Sequence, residues 1–501
     1  MDKIQLLYVE NVITRKKHSV QQELSFFMQV ENIHYDKQIE VVWSGEDGEW
    51  QRVAANFHSL RGNNREYWQA NMVFQLNRAQ SLPGNVRFYL AFRTFENEYL
   101  DNNRGVNYLS EADSGIQLAP PIKVLPIGLQ NGLKKGQTFL PITVATHKSL
   151  DIDNVIVHWT VNNWRTTRKT RCYFQRDFWN KTLHSNARNP NQYGIQIWKG
   201  WIKISHAFRV QYSIACHHND EIIWDNNFGD NYSHAHESLK VMILNLHCYQ
   251  EDNQNYKLAQ IAKAIDELNA DLVCFQEVAE QWNNGAGDWQ TNSARRINEL
   301  LDAPYHIYTD WSHLGFDIYR EGVAILSKYP FIAQESRYVS NDNDPYSIHS
   351  RKVVMTQVSV PYIGLLNVFS AHLSWWEDGF KQQFESLSDW ARHKHNSQVT
   401  GTLLCGDFNI ATGSQGYRLV IDGNEYEDQY LSAIMQPAGI QSLPGNDAYW
   451  RHQQANDYRI DYIFMNKASE LYATSARVLF TDQDYGRVSD HCGYFMTFEP
   501  K

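Results

Sequence analysis

The chain has 501 residues, 43% of them hydrophobic and 13% aromatic, which is enough apolar material for several cores and, by length, for two to four domains. No apolar run approaches the roughly 20 residues of a membrane span, and the opening MDKIQLLYVENVITRKKHSV lacks the charged-then-apolar order of a secretory signal; a soluble protein is expected, cytoplasmic or delivered by a non-classical secretion route. Charge is uneven: positions 240–501 carry 20 Lys+Arg against 33 Asp+Glu, a balance of −13, while the remainder stands at +3. Such an acidic field opposes a polyanionic partner unless cations or a local basic strip intervene.

Short alternating runs fill the front of the chain, among them QIEVVW (38–43) and VRFYLAF (86–92), and then VIVHWTV (155–161) and RVQYSIA (209–215). Each set closes on a related decapeptide, YLDNNRGVNY (99–108) and IWDNNFGDNY (223–232). Period-two alternation with a repeated closing motif predicts two consecutive all-β sandwiches, over 1–118 and 138–235. The Pro and Gly of APPIKVLPIGLQNGLKKGQ (119–137) predict a linker between them, and SHAHES (233–238) a shorter second junction.

From position 241 the pattern changes. Strand-like VMILNLHCY is followed by a helical stretch, 256–270, in which Leu258, Ile261, Ala262, Ile265 and Leu268 recur on one face, and then by strand-like DLVCFQEV (271–278). Later runs GVAILS, KVVMTQVSV, IGLLNVFSAHL, TLLCGDFNI and RIDYIFM complete one layered α/β domain over 240–501. Four of the six cysteines sit in or beside these apolar runs, which reads as buried free thiols in a reducing compartment. None has zinc-type spacing.

Polar residues interrupt the ends of the apolar runs: Asn245, Glu277, His372, Asp407 with Asn409, Asp461, and Asp490 with His491. Any one has an ordinary explanation as a cap, a turn or a satisfied core group. In LLCGDFNI, residues two apart face one side of an extended segment, so Asp407 and Asn409 would point together beyond the strand end, although Gly, Asp and Asn also simply end strands. Six such interruptions are costly to bury without shared partners or a metal.

The ordered block LN, QEV, GVAILSKYP, H, GDFN, RIDYIF, SDH resembles the endonuclease/exonuclease/phosphatase superfamily, which includes deoxyribonuclease-like nucleases, neutral sphingomyelinases and inositol-polyphosphate 5-phosphatases; it spans essentially all of 240–501. The resemblance implies a four-layer α/β sandwich with two packed mixed sheets, and a metal-dependent phosphoric ester hydrolase. Because phosphoryl oxygens repel a nucleophile, such a site needs a hard divalent ion, Mg²⁺ or alternatively Mn²⁺, and Glu277 with Asn245 and nearby Asp490 fit that demand. By the same resemblance Asp407 aligns or deprotonates the attacking water and Asn409 hydrogen-bonds a phosphoryl oxygen. His491, oriented by Asp461, contacts the phosphate, and His372 stabilises the leaving side. Arg351 is a weaker candidate for a phosphate contact. The 5-phosphatases carry Cys-Asp-Arg where this chain has Arg459-Ile460-Asp461-Tyr462, which favours the nuclease and sphingomyelinase side. The expected substrate is a phosphate ester: nucleic acid, a phospholipid head group or a phosphorylated glycan. A phosphomonoesterase acting on phosphoinositide or phosphorylated glucan is the alternative, and a non-catalytic glycan-binding protein on a phosphoesterase scaffold is a second. Trp375-Trp376 after His372 reads either as a stacking surface or as a loop packed on the core.

The front repeats resemble starch- and glycogen-binding modules, in which a Trp-Asp-Asn-Asn run stacks on sugar rings and hydrogen-bonds their hydroxyls. That resemblance implies α-glucan contacts by Trp224, Asp225, Asn226, Asn227 and Asn231, while copy one carries Leu100 in place of the Trp. DNN followed by Gly is equally good turn chemistry. Trp159, Trp164 and Trp201 are further platform or core candidates.

Overall fold

The computed structural model describes residues 2–34, 36–78, 81–176, 192–283, 285–434 and 459–501. The chain divides into two compact units, Met1–Glu237 and Ser238–Lys501.

In the first unit, strands Gly115–Leu118, Ile4–Lys16, Ser19–Glu31, Arg65–Gln75 and Asn56–Gly62 form one sheet in that order. Trp50–Ala54, Gln38–Ser44, Val86–Arg93 and Glu98–Asp101 form a second, with Tyr108–Ser110 also on Val86–Arg93. Alternate residues such as Phe26, Met28, Val41, Phe88 and Leu90 meet between the two sheets. The following residues form one eight-stranded sheet that folds around its own core of Val144, Val157, Trp159, Ile202, Tyr212 and Ile214. Its turning point is Arg168–Arg176, which pairs with Asn154–Thr160 at its start and with Ile195–Lys203 at its end. The stretch expected as a linker differs from that expectation. Val124–Pro126 is a strand of this second sheet, paired with Phe139–His147. Leu125 and Ile127 are buried in a cluster with Tyr8, Phe27 and Tyr67 of the first module and Ile197 of the second. Proline and glycine marked a change of direction here, and the intervening apolar side chains welded the modules through a shared core.

The second unit holds two mixed sheets. The first runs His306–Gly315, Tyr319–Ser327, Leu272–Asn283, Leu239–Asn245, Gly493–Pro500, Leu471–Leu479, with Ala286–Asp288 on Leu272–Asn283. The second runs Phe331–Tyr338, Lys352–Val360, Gly364–His372, Val399–Asp407, Asp461–Asn466, Tyr426–Asp428. Each contains one parallel pair, Leu239–Asn245 with Leu272–Asn283 and Gly364–His372 with Val399–Asp407. Helices Gln254–Leu268 and Ser293–Glu299 cover the outside of the first sheet, and Phe380–Lys394 and Gln415–Asp422 cover the second. The inner faces meet through buried Cys274, Ile325, Val368, Leu403 and Cys405, and Gln276 donates to Ser370 Oγ across the gap at 3.0 Å. Burial on both faces explains why these strands read as continuous apolar runs. All six cysteines are buried. Among the described residues no helix is long and apolar enough to cross a membrane.

Candidate active site

Four of the polar interruptions of the second unit stand at strand ends, Asp490 and His491 just precede Gly493–Pro500, and Glu277 lies within Leu272–Asn283. Asn245 closes Leu239–Asn245, His372 closes Gly364–His372, Asp407 closes Val399–Asp407 and Asp461 opens Asp461–Asn466. Register places His372 beside Asp407 and Asp407 beside Asp461, so three of them lie abreast on neighbouring strands. Glu277 sits at a register shift between Phe275 and Val278 with φ 48°, and such a bulge re-aims a side chain out of the alternating pattern. Gly406 has φ 135°, and a Cβ there would lie 2.1 Å from the Ala371 carbonyl oxygen. Only glycine permits the strand carrying Asp407 to press this closely on the strand carrying His372.

The turn reading and the site reading of GDFN are both realised. Asn409 is past the strand end with φ 52°, so it does not share a face with Asp407 as an extended residue would. Its backbone N–H donates to Asp407 Oδ1 at 2.8 Å, and its Nδ2 donates to Leu373 O at 2.8 Å. The turn therefore fixes one carboxylate oxygen and leaves Oδ2 facing the other groups. Asn245 Nδ2 donates to Oδ2 at 3.0 Å, with His491 Nε2 at 3.7 Å and His372 Nε2 at 3.8 Å.

Asp461 Oδ2 lies 2.8 Å from His491 Nδ1. Burial pushes the Asp461 carboxyl up to about 6, against the pull of the His491 charge and with repulsion from Asp407. Burial disfavours charge on His491 itself, but Asp461, Asp407 and Asp490 outweigh it and raise the imidazole well above its usual range. Asp461 Oδ1 is buried with no hydrogen-bond partner among the described residues.

A second acid and imidazole face each other on the opposite side. Glu321, which precedes GVAILS and was not among the residues expected from sequence, lies 3.6 Å from His372 Nδ1 and 3.5 Å from His313 Nε2 through Oε1. Burial works against its ionisation, but the two histidines overcome this and hold its carboxyl below the usual range. The Glu277 carboxyl moves the other way, raised by burial and by repulsion from Glu321. Glu321 lies near the start of its strand, directly after Arg320, so it did not stand out as a polar interruption at the end of an apolar run.

The remaining expected residues have the following surroundings. Asn245 turns its amide nitrogen toward Glu277 (2.8 Å), while its Oδ1 accepts from the His247 N–H at 3.0 Å. Asp490 stands 3.6 Å from His247 Nδ1, in a neighbouring group with Glu251. Arg351 faces inward, with Nε donating to Ser374 Oγ and Nη1 3.2 Å from His372 Nδ1. Trp375 is exposed, and Trp376 packs on the core beside Phe380. Five carboxylates, Glu277, Glu321, Asp407, Asp461 and Asp490, thus lie in the linked groups of this site, while among the described residues the guanidinium seen beside it is that of Arg351, 3.9 Å from Glu321. That deficit of positive charge, with Glu277 raised by a neighbouring acid, suits a hard divalent cation, and the groups Glu277/His372/Asp407 and Asp407/Asp461/His491 each bring ligand atoms together.

In the first unit the repeated decapeptide is a self-braced loop. Asp101 and Asp225 accept from Tyr108 and Tyr232 hydroxyls; Asn102 and Asn226 accept from the N–H of Gly105 and Gly229; Asn103 and Asn227 donate to Asn107 O and Asn231 O. Asn227 is buried, and its Oδ1 also accepts from Arg61 Nε and the Tyr67 hydroxyl of the first module, both at 2.8 Å. Asp225, Asn226, Asn227 and Asn231 therefore spend these groups on the protein itself. Trp224 remains 50% exposed at the rim of a cavity of about 470 Å³ shared with Phe228, Ile122 and Lys123. Trp159 is core, whereas Trp201 is half exposed and Leu100 of copy one likewise.

Residues 242–491 match the model of the Endonuclease/Exonuclease/phosphatase family. The uncharacterized protein YbhP of Escherichia coli K12 is 27% identical over 180 residues, 34% of this chain and 67% of YbhP. Among solved structures, an endonuclease/exonuclease/phosphatase family protein from Leptotrichia buccalis C-1013-b is 26% identical with a TM-score of 0.45, over 52% of this chain and all of that one. A mannosyl-6-phosphatase of Bacteroides thetaiotaomicron is 14% identical with a TM-score of 0.40 over the same shares. The C-terminal part of the chain, residues 242–491, is a domain of the Endonuclease/Exonuclease/phosphatase family.

Proposed function

We propose that the second unit is a divalent-metal-dependent phosphodiesterase of nuclease or sphingomyelinase type. The observation that carries this reading is the arrangement around Asp407 Oδ2, where two acid-paired imidazoles, His491 with Asp461 and His372 with Glu321, approach one carboxylate oxygen from different strands at 3.7 and 3.8 Å. A diester has a poor leaving group on one side and an attacking water on the other, and two separately oriented imidazoles serve both. Asp407, held by the Asn409 N–H and the Asn245 amide, orients the water. His491, kept charged by Asp461, donates to a phosphoryl oxygen. His372 faces the leaving oxygen. Glu277 with Asp490 would hold Mg²⁺ or Mn²⁺, and Asn245 joins them if its amide oxygen turns inward. When bound, the ion neutralises phosphoryl charge and lowers the barrier to attack.

A monoester reading is less supported, because Arg459 is buried against Asp428 between the rings of Tyr430 and Tyr462 and offers nothing to a terminal phosphate. Turnover of a soluble phosphodiester and of the corresponding monoester, with Mg²⁺ and then with excess chelator, is the test. Diester turnover that survives chelation sinks the metal assignment, and a strong preference for the monoester sinks the diester one. For the front unit, the exposed Trp224 at its cavity supports contact with an α-glucan ring by stacking. Retention on glycogen that Trp224→Ala leaves unchanged would remove that role, and turnover of a small soluble diester should not respond to this variant at all.

A further inference from the structure

We infer that the loops beside the site form an apolar rim that docks on a zwitterionic phospholipid bilayer and presents its head-group phosphodiesters to the catalytic groups. This rests on the phosphodiesterase reading and narrows its substrate to the lipid side. Phe316, Tyr346 and Ile348 are more than half exposed, Ile318 is nearly so, and exposed Trp375 stands three residues after His372. Singly, such side chains are ordinary on a surface. Here they stand on three joined segments, and an apolar patch of that kind marks an interaction site. The Leu314 N–H donates to Pro345 O at 2.7 Å, tying the hairpin tip 314–318 to the loop 341–350. Asn341 Nδ2 donates to Gln382 Oε1 at 2.7 Å, tying that loop to the helix Phe380–Lys394, which follows Trp375. The bases of both loops reach the site, because His313 Nδ1 is 3.0 Å from Ser350 O and His313 Nε2 is 3.5 Å from Glu321 Oε1.

The hairpin tip is strained in a way that packing does not explain. The Ile318 N–H donates to Gly315 O at 3.1 Å and closes a turn whose central residues, Phe316 and Asp317, are both left-handed with φ 53° and 54°. Turns with two left-handed central residues favour Asn-Gly and Asp-Gly, and a bulky residue at positive φ is an outlier. Phe316 gains little burial in return. Strain that the fold does not reward points to a role outside the fold. Charge then selects the partner. Segments 314–318, 341–350 and 374–378 carry Asp317, Asp342, Asp344, Glu377 and Asp378 and neither Lys nor Arg. That set repels an anionic bilayer or a nucleic-acid backbone, as does the balance of −13 over positions 240–501. A phosphocholine surface is zwitterionic and carries its ammonium groups outermost, so the carboxylates meet cations while the apolar side chains reach the acyl boundary. Tyr346 and Trp375 are of the two residue types that favour this depth.

Co-sedimentation of the full-length protein with phosphatidylcholine–sphingomyelin vesicles should show binding. Phe316→Ser combined with Ile348→Ser should lower the partition by roughly 10–100-fold, slow hydrolysis of the vesicle lipids to match, and leave turnover of a small soluble phosphodiester unchanged. Phe316→Asn adds a readout that a structural role would not give. Asparagine suits a left-handed turn, so its urea midpoint should rise while vesicle binding falls. No binding by the wild type, unchanged binding in the double variant, a lower urea midpoint for Phe316→Asn, or tighter binding to phosphatidylglycerol vesicles or DNA overturns the proposal. So does a concentration-dependent dimer that the same substitutions dissociate, because the rim then faces a second copy. Vesicle binding with turnover of the soluble diester but not of the lipids overturns the presentation of head groups to the site. Vesicle binding with no turnover of any diester leaves the docking surface standing and refutes the phosphodiesterase reading alone.

Discussion

Asn227→Ala tests whether the repeated Asp-Asn-Asn motif of the second module braces the protein. The native side chain donates to Asn231 O at 2.9 Å and accepts from both Arg61 Nε and the Tyr67 hydroxyl at 2.8 Å. Arg61 and Tyr67 are 7% and 5% exposed, so water does not replace the lost acceptor. Arg61 keeps its bond from Nη2 to the Asn227 carbonyl, 2.9 Å, which softens the loss. Two buried donors left short, each costing about 1–3 kcal/mol, together with one lost loop bond of about 1 kcal/mol, sum to about 3–7 kcal/mol, and the retained Arg61 bond places the destabilisation in the lower half of that range, about 3–5 kcal/mol. For a unit of this size that lowers the melting transition by roughly 10 °C. The repeat supplies its own control. Asn103 occupies the same place in copy one, where among the described residues its side chain donates only to Asn107 O, at 3.3 Å, so Asn103→Ala should cost about 1 kcal/mol. Urea unfolding of the full chain gives the energies, and hydrogen exchange should show protection falling in 56–75 and 222–235 for Asn227→Ala alone. Equal costs at the two positions, or a cost below about 1 kcal/mol at Asn227, would refute the argument.

Asp225 is pushed up to about 6, chiefly by burial and against the pull of the Tyr232 hydroxyl and the Asn227 N–H. A carboxyl raised in the folded state contributes stability below its unfolded value near 4 and loses it as pH rises through about 6, so Asp225→Asn should stabilise the first unit at pH 7 but not at pH 4. Urea midpoints at the two pH values measure this, and an unchanged difference between variant and wild type contradicts it. His491→Ala and Asp407→Ala should each reduce diester turnover by roughly 10²–10⁴-fold with the fold retained by circular dichroism; near-normal rates remove both assignments. Glu321→Gln should also depress turnover, because it takes the counter-charge from Arg351 and His313, whereas Glu280→Gln, one strand away and paired with Arg320, should not. Parallel rate assays on the two variants decide it.

Much of the catalytic unit was legible in the letters because its strands are buried on both faces and announce themselves as unbroken apolar runs. A polar residue at the end of such a run stands out, which is how Asn245, Glu277, His372, Asp407, Asp461 and His491 could be named. Glu321 had no such contrast. It opens its strand after Tyr319 and Arg320, and its importance comes from His372, His313 and Arg351, residues that sequence separation hides. Arg351 was visible as an arginine before a strand, but whether it faced water or a histidine depended on the Ser374 and Gln383 pocket that receives it. In the front unit the repeat disclosed two like modules, and the same Asp, Asn and Tyr letters fold into the same braced loop in both. Local hydrogen bonds within ten residues are enough to determine that. That Asn227 would lie against Arg61 and Tyr67, while Asn103 lacks such partners among the described residues, was settled by the packing of Leu125 and Ile127 into a core shared by the two modules, because contacts between distant segments depend on how surfaces meet and leave no periodic signal in the chain.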